Sequence, residues 1–149
     1  MTWKTAYRSF YYEGSSEPAD IVLKDDETAL LVIDIQNTYL TPSGDAEERR
    51  RWNPFLERMN KTVIPNAANL LKTCRGRKIE VLFARIACLK EDGRDRSLSQ
   101  KKPGWNYLLM PKATKESRLV PKLAPVDDEI VFCKTTDSAV TGTNLRLIL

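Results

Sequence analysis

The run Ala29 to Ile33, five apolar residues ended by Asp34, constrains the fold more than any other feature of the chain. Near-continuous apolarity, with β-branched side chains at Val32, Ile33 and Ile35, is the pattern of a strand buried on both faces of a parallel α/β sheet. A second such run, Ile79 to Ile86, follows a segment in which Ile64, Ala67, Ala68, Leu71 and Arg75 recur at three- and four-residue steps. That spacing predicts a helix over about Val63 to Arg75, with Gly76 as its stop. Strand, helix and strand in this order form a right-handed crossover, so the first two strands are expected to be parallel. The segment EIVFCK, Glu129 to Lys134, reads as a third strand. A further helix is expected to open at Gly142 or Thr143, with Leu145, Ile148 and Leu149 on one face.

These elements imply a three-layer α/β/α Rossmann-like parallel sheet. Only three strands are legible and the chain ends on apolar residues without a cap, so the sheet is expected to be C-terminally truncated. Residues 1–24, with Trp3, Tyr7, Phe10, Tyr11 and Tyr12 ahead of EGSSEP, read as an aromatic arm that packs on its own body or on a second subunit. Residues 25–149 form the domain. The polar stretch from Cys88 to Trp105 is expected to stay out of the core, and loops of that length in compact domains are usually functional or mobile.

Composition excludes several classes of function. Twenty-four Lys and Arg against 20 Asp and Glu leave a net charge of +4 over 149 residues. The basic runs Arg49 to Arg51 and Lys101 with Lys102 are interleaved with acidic residues, so no nucleic-acid partner is expected. No apolar run approaches the roughly 18 residues that cross a bilayer, and the start lacks a secretory signal, so a cytoplasmic protein with no membrane partner is expected. Cys74, Cys88 and Cys133 have the spacing of neither a disulfide framework nor a zinc cluster. Histidine is absent. This removes Ser-His and Cys-His mechanisms and the commonest transition-metal ligand, so neither a metal nor another cofactor is expected.

Asp34 carries the chemistry that remains. A carboxylate at the carboxyl end of an apolar strand sits at the edge where open α/β sheets bind ligands. Burying it ionised is costly unless a cation pairs with it. Lys134 closes the third strand as Asp34 closes the first, and is the expected partner; for each, the alternative is a strand-end charge facing solvent. Arg85, near the end of the second strand, is a candidate for holding a substrate carboxylate or carbonyl oxygen, with a structural ion pair as the alternative. Cys133 alternates away from Lys134, Cys74 belongs to the helix, and Cys88 is either a nucleophile near the Asp34 edge or a small buried residue. Trp52, Phe55 and Trp105 are read as a pocket wall or as satellite packing.

The segment LLVIDIQNTYL, with Asp34, Gln36 and Asn37, resembles the first signature of the isochorismatase-like cysteine hydrolases. The segment EIVFCKTTDSAVTGTNL resembles the second, through Lys134, Ser138, Ala139, Gly142, Thr143 and Leu145, with Val140 where the family has an aromatic residue. The resemblance runs from about Thr28 to Leu149. It implies parallel strands in the order 3-2-1-4-5-6 and catalysis by Asp, Lys and Cys, in which a thiolate attacks a carbonyl carbon. Asp34 would then be the general base and Lys134 the group that stabilises negative charge, with Gln36, Arg85 and Ser138 as substrate-binding positions. The family's Cys follows the second signature, so this chain is expected to lack it and to be inactive alone.

The reaction so implied is hydrolysis of an amide, ureide or related C–N bond in a small-molecule substrate, by a protein that forms a homo-oligomer at full length. Some family members hold a metal on histidines, a branch that the absence of histidine argues against. The alternative function is a catalytically dead, family-like binding protein in which Asp34 and Lys134 persist as a structural pair.

Overall fold

A computed structural model describes residues 4–42, 44–102 and 109–149; Trp3 and Trp105, weighed above as arm and pocket-wall residues, lie outside them. Three strands, β1 (Ala29–Ile33), β2 (Glu80–Ile86) and β3 (Ile130–Lys134), form one parallel sheet in the order β1-β2-β3. Ile33 lies opposite Ala84, and Ile86 lies opposite Lys134. The register therefore brings the carboxyl ends of all three strands to one edge.

Position in the sheet decides how each apolar run is used. Central β2 is covered on both faces, and Val81, Leu82, Phe83 and Ala84 are all buried. The same expectation fails for β1, where Val32 is buried but Ile33 is 47% exposed. Among the described residues β1 has β2 as its one hydrogen-bonded neighbour, and an edge strand is covered less completely.

Helix α1 (Ala46–Arg58) starts at Asp45, whose carboxylate accepts the Glu48 N–H at 2.9 Å. None of its residues is buried, which is why no apolar periodicity announces it. Trp52 and Phe55 meet edge to face on it at 5.5 Å and remain partly exposed, and Trp52 lines a surface hollow with Asp45, Glu47, Glu48 and Arg51. A widened π-type turn, Met59–Val63, joins it to α2 (Ile64–Arg77), with the Ile64 N–H reaching back to the Met59 carbonyl. Pro65 explains the widening, since it has no N–H to give and its ring crowds the preceding turn.

Gly76 lies inside α2 and is not its stop. The stop is Lys78, left-handed at φ 59°, with its N–H on the Arg75 carbonyl and the Ile79 N–H on the Cys74 carbonyl. These two bonds satisfy the carbonyls that the helix end leaves open. Ile64 and Leu71 of α2 bury against Val32, Val81 and Phe83, and Leu119, Val120 and Leu123 complete that face.

The other face packs Leu82, Ala84 and Phe132 against Ala139 of α4 (Ala139–Gly142) and Leu145 of α5 (Leu145–Ile148). The single helix expected from Gly142 or Thr143 is thus two turns, the first starting earlier. Ser138 caps that turn, and of the three apolar positions expected on one face, Leu145 is the buried one. The result is the expected α/β arrangement, with helices on both faces of a parallel sheet.

One other expectation fails, and one of the two alternatives for the arm is not taken. Arg96 and Gln100 of the polar stretch after β2 are buried, and Leu98, an apolar residue at the start of the short helix α3 (Leu98–Lys101), is 85% exposed. Hydrogen bonds compensate most of the polar groups that enter here: the Arg96 guanidinium reaches the Gln100 carbonyl, the Ser97 N–H reaches the Thr135 carbonyl at 2.8 Å and Gln100 Nε2 donates to Asp137, while Gln100 Oε1 has no partner among the described residues. At the amino end Tyr7, Phe10 and Tyr11 are exposed, so these aromatics do not pack on the domain. No helix among the described residues is long and apolar enough to cross a membrane.

Candidate active site

Asp34 directly follows β1 and donates its N–H to the Ala84 carbonyl at 2.9 Å, extending the ladder by one bond. Its φ of 57° lies in the left-handed region, which Asp tolerates better than the β-branched residues before it. The Gln36 N–H then closes on the Asp34 carbonyl at 3.0 Å, so the chain turns sharply at the carboxylate.

Lys134, the last residue of β3, is 1% exposed along its side chain. Its Nζ donates to Asp34 Oδ2 at 2.6 Å and to the Asp137 carbonyl at 2.9 Å. An ammonium has three donors, so one remains after these two bonds. Asp34 is 30% exposed, and its Oδ1 is buried without a hydrogen-bond partner among the described residues. The pair therefore keeps one free donor and one free acceptor at the sheet's carboxyl-end edge. Pairing offsets the cost of burying the ammonium.

Two residues beyond the sequence-derived set belong to this edge. Tyr39, on the turn Asn37–Leu40, has its phenol pushed up to about 12 by burial first and then by the carboxylates of Asp34 and Asp137. It stays protonated near both carboxylates over the neutral range. Asp137 supplies the carbonyl that holds Lys134, and its own carboxylate accepts from Gln100 Nε2 at 3.2 Å and Ser99 Oγ at 3.3 Å. Asp137 falls in the TTDS stretch after Lys134, where a hydroxyl-rich turn was the visible signal. Tyr39, in the NTYL stretch, carries no spacing signal at all.

The other sequence-derived candidates go elsewhere. Gln36, expected to touch substrate, is fully buried, with Nε2 donating to the Ile86 and Ser117 carbonyls and Oε1 accepting from the Ile86 N–H, each at 2.8 Å. Its amide ties the turn after Asp34 to the end of β2, and both N–H donors are used. Arg85 does not join Asp34. Strand alternation places it on the face opposite Lys134, and its guanidinium meets the Ser117 and Lys112 carbonyls and the Ser117 hydroxyl at 3.1 Å. The ion pair weighed as its alternative is not formed among the described residues. Ser138 is exposed and its Oγ accepts the Thr141 N–H at 3.2 Å, capping α4. Gly142 allows that turn to pack closely, because a Cβ there would lie 2.5 Å from Thr136 Oγ1.

The three cysteines are free thiols. Cys88 is buried beyond β2, its N–H on the Met110 carbonyl at 2.8 Å. Burial pushes its thiol up, and the charged side chains that act on it are those of Asp95 and Arg96, not the Asp34–Lys134 pair. Cys133 and Lys134, as neighbours in one strand, point to opposite faces. Cys74 lies on α2 against the first core face. Among the described residues no group of three or more Asp, Glu or Cys could hold a metal ion.

Comparison with known proteins gives a consistent picture. The Isochorismatase domain family matches residues 28–149, and no curated protein matches the chain. An isochorismatase family protein from Desulfovibrio vulgaris superposes with a TM-score of 0.59 at 29% identity, over 81% of this chain and 59% of that one. A cysteine hydrolase from Pseudomonas syringae superposes with a TM-score of 0.68 at 20% identity, over 91% of this chain and 59% of that one. N-carbamoylsarcosine amidase from Thermoplasma acidophilum gives 0.56 at 21% identity, over 81% of this chain and 59% of that one. The last two show likeness of fold. The chain spans about three-fifths of the length of each of these structures.

Proposed function

The chain belongs to the isochorismatase family, and from that premise we propose that Asp34 and Lys134 are two members of an Asp-Lys-Cys set that hydrolyses an amide or ureide C–N bond of a small molecule. The observation that carries this reading is the 2.6 Å contact between Lys134 Nζ and Asp34 Oδ2 at the carboxyl-end edge of the sheet. There Oδ1 keeps an unused acceptor.

In this reaction Asp34 accepts the proton of a thiol as its sulfur attacks the carbonyl carbon. The third N–H of Lys134 favours the thiolate. Breaking the C–N bond releases an amine, which takes the proton back from Asp34 and leaves a thioester. Water then attacks the thioester, giving a carboxylic acid and the free thiol. Gln36 and Ser138 act from behind, as a brace and a helix cap, and Tyr39 lines the edge as a protonated phenol. The raised thiol and location of Cys88 fit a structural role, so the nucleophile in this proposal comes from outside these 149 residues.

The test is an assay of the 149-residue chain and of the product of the full coding sequence against amides, ureides and an N-carbamoyl amino acid. The last substrate follows the name of the Thermoplasma neighbour. Turnover is expected from the longer protein and its loss in Asp34→Asn and Lys134→Ala, on the order of 10³-fold or more. Tight binding of panel compounds without turnover by the longer protein would instead favour a binding protein that keeps the pair for structure.

A further inference from the structure

We propose that a hollow on the other face of the sheet binds a small organic anion with an apolar body. Its volume is about 330 Å³, with Leu119, Pro125 and Val131 as the floor and Arg85, Lys112 and Arg118 around it. That volume lies at the lower end of the roughly 300–1,000 Å³ range of ligand pockets and suits a compact molecule.

The charge balance of the hollow points to an anion. No Asp or Glu lines it. The Arg85 guanidinium is held by the Ser117 and Lys112 carbonyls and the Ser117 hydroxyl, and the Arg118 guanidinium by the Ala113 carbonyl at 3.2 Å. These oxygens satisfy hydrogen bonds without neutralising charge. Neither guanidinium, nor the Lys112 ammonium, forms an ion pair among the described residues. Arg85 Nε is also buried without a partner among the described residues, so this fixed cation retains an unused donor there. Three like charges around one hollow repel each other and raise the local potential, and a bound anion relieves both effects.

The floor narrows the ligand class. A bare inorganic anion gains nothing from Leu119, Pro125 and Val131, whereas an aromatic or branched carboxylate removes its apolar body from water there and leaves its carboxylate for the cations. The pinned Arg85 also reduces the ordering cost of binding. Because Arg85 faces away from Lys134, this site is independent of the proposed hydrolysis and stands or falls separately from it.

Benzoate titrated into the protein at constant ionic strength, followed by NMR of the Leu119 and Val131 methyl groups, tests the proposal. Saturable shifts are expected with benzoate and not with inorganic phosphate. The benzoate affinity is expected to fall about tenfold or more when Lys112→Glu and Arg118→Glu are combined, since both exposed cations become repulsive. Circular dichroism checks the fold of that variant, and Lys112→Gln with Arg118→Gln, expected to weaken benzoate in the same direction, replaces it if the fold is lost. Absence of saturable shifts, phosphate binding as tight as benzoate, or affinity indifferent to these substitutions would overturn the proposal.

Discussion

Lys134 Nζ reaches Asp34 Oδ2 at 2.6 Å although the strands that carry the two residues do not pair with each other. β2 lies between them, and two strand spacings amount to roughly 9.6 Å. A lysine spans that gap because its stem is long and apolar, and can be buried while its charged end meets the carboxylate. A shorter cation would not span that gap without moving the turn at Asp34.

Breaking this pair is expected to destabilise the protein, because Lys134→Ala leaves a carboxylate at a mostly enclosed edge with no cation. The expected loss is on the order of 3 kcal/mol, at the lower end for buried pairs because Asp34 is partly solvated. Chemical denaturation of Lys134→Ala, Asp34→Asn and the double variant measures the coupling. A double variant no less stable than Lys134→Ala is expected, and strictly additive losses would show that the contact is energetically empty.

Gln36→Leu removes an amide that bonds the Ile86 N–H and the Ile86 and Ser117 carbonyls; the Ser117 carbonyl keeps the Arg85 guanidinium, whereas the Ile86 N–H and carbonyl lose this partner. Each buried group left unsatisfied costs about 1–3 kcal/mol, so the total loss should exceed that of an ordinary core substitution. Hydrogen exchange should show the Ile86 amide losing protection first, ahead of the amides at the centre of β2.

How far the fold was legible depends on where side chains point. Continuous apolar runs marked all three strands, and the ends of two of them, Asp34 and Lys134, marked the edge where charge meets charge. Helix α1 was not legible because it buries nothing, and Lys78 could not be read as a helix stop because a left-handed lysine looks like any lysine in sequence. Gln36 and Arg85 carry polar groups suited to substrate, yet the Gln36 amide and the two terminal nitrogens of Arg85 are committed to backbone groups and the Ser117 hydroxyl, away from Asp34. Residue type announces hydrogen-bonding capacity, and only packing shows whether that capacity is already used. Tyr39 and Asp137 reach the edge from turns whose direction no periodicity encodes.

Tyr39 should ionise near 12, later than an ordinary tyrosine near 10. Its folded value is raised, so its contribution to stability is complete below about 10 and is lost as pH rises through about 12. Ultraviolet titration of wild type against Tyr39→Phe isolates this group. Asp34→Asn removes one of the two carboxylates acting on it and should bring its ionisation down, while an unchanged titration would place Tyr39 away from the pair.

Arg75 and Glu129 join α2 to the start of β3 through two hydrogen bonds of 2.8 Å, and Glu129 also accepts the Val126 N–H at 2.8 Å. The Arg75 guanidinium holds the Glu129 carboxyl below its usual range. A depressed folded value gives stability that is present above the unfolded value, about 4.3, and is lost as pH falls through the folded one. Glu129→Gln should therefore be less stable than wild type by on the order of 2 kcal/mol at neutral pH. The difference should shrink in acid. A gap that persists unchanged to low pH would assign the loss to packing.

Cys88 provides the sharpest separation between structure and chemistry. Burial pushes its thiol above the ordinary range, so at neutral pH the thiolate fraction is smaller than that of a free cysteine. Alkylation by iodoacetamide should accordingly be slow under native conditions and become fast on unfolding, with mass spectrometry of the modified peptide as the readout. If the nucleophile lies elsewhere, as proposed, Cys88→Ser leaves turnover of the longer protein unchanged at matched folded concentration. A Cys88 that is alkylated rapidly in the folded state, together with turnover that disappears in Cys88→Ser, would move the nucleophile to Cys88. That result would require the loop beyond β2 to bring the thiol within hydrogen-bonding reach of Asp34 during the reaction.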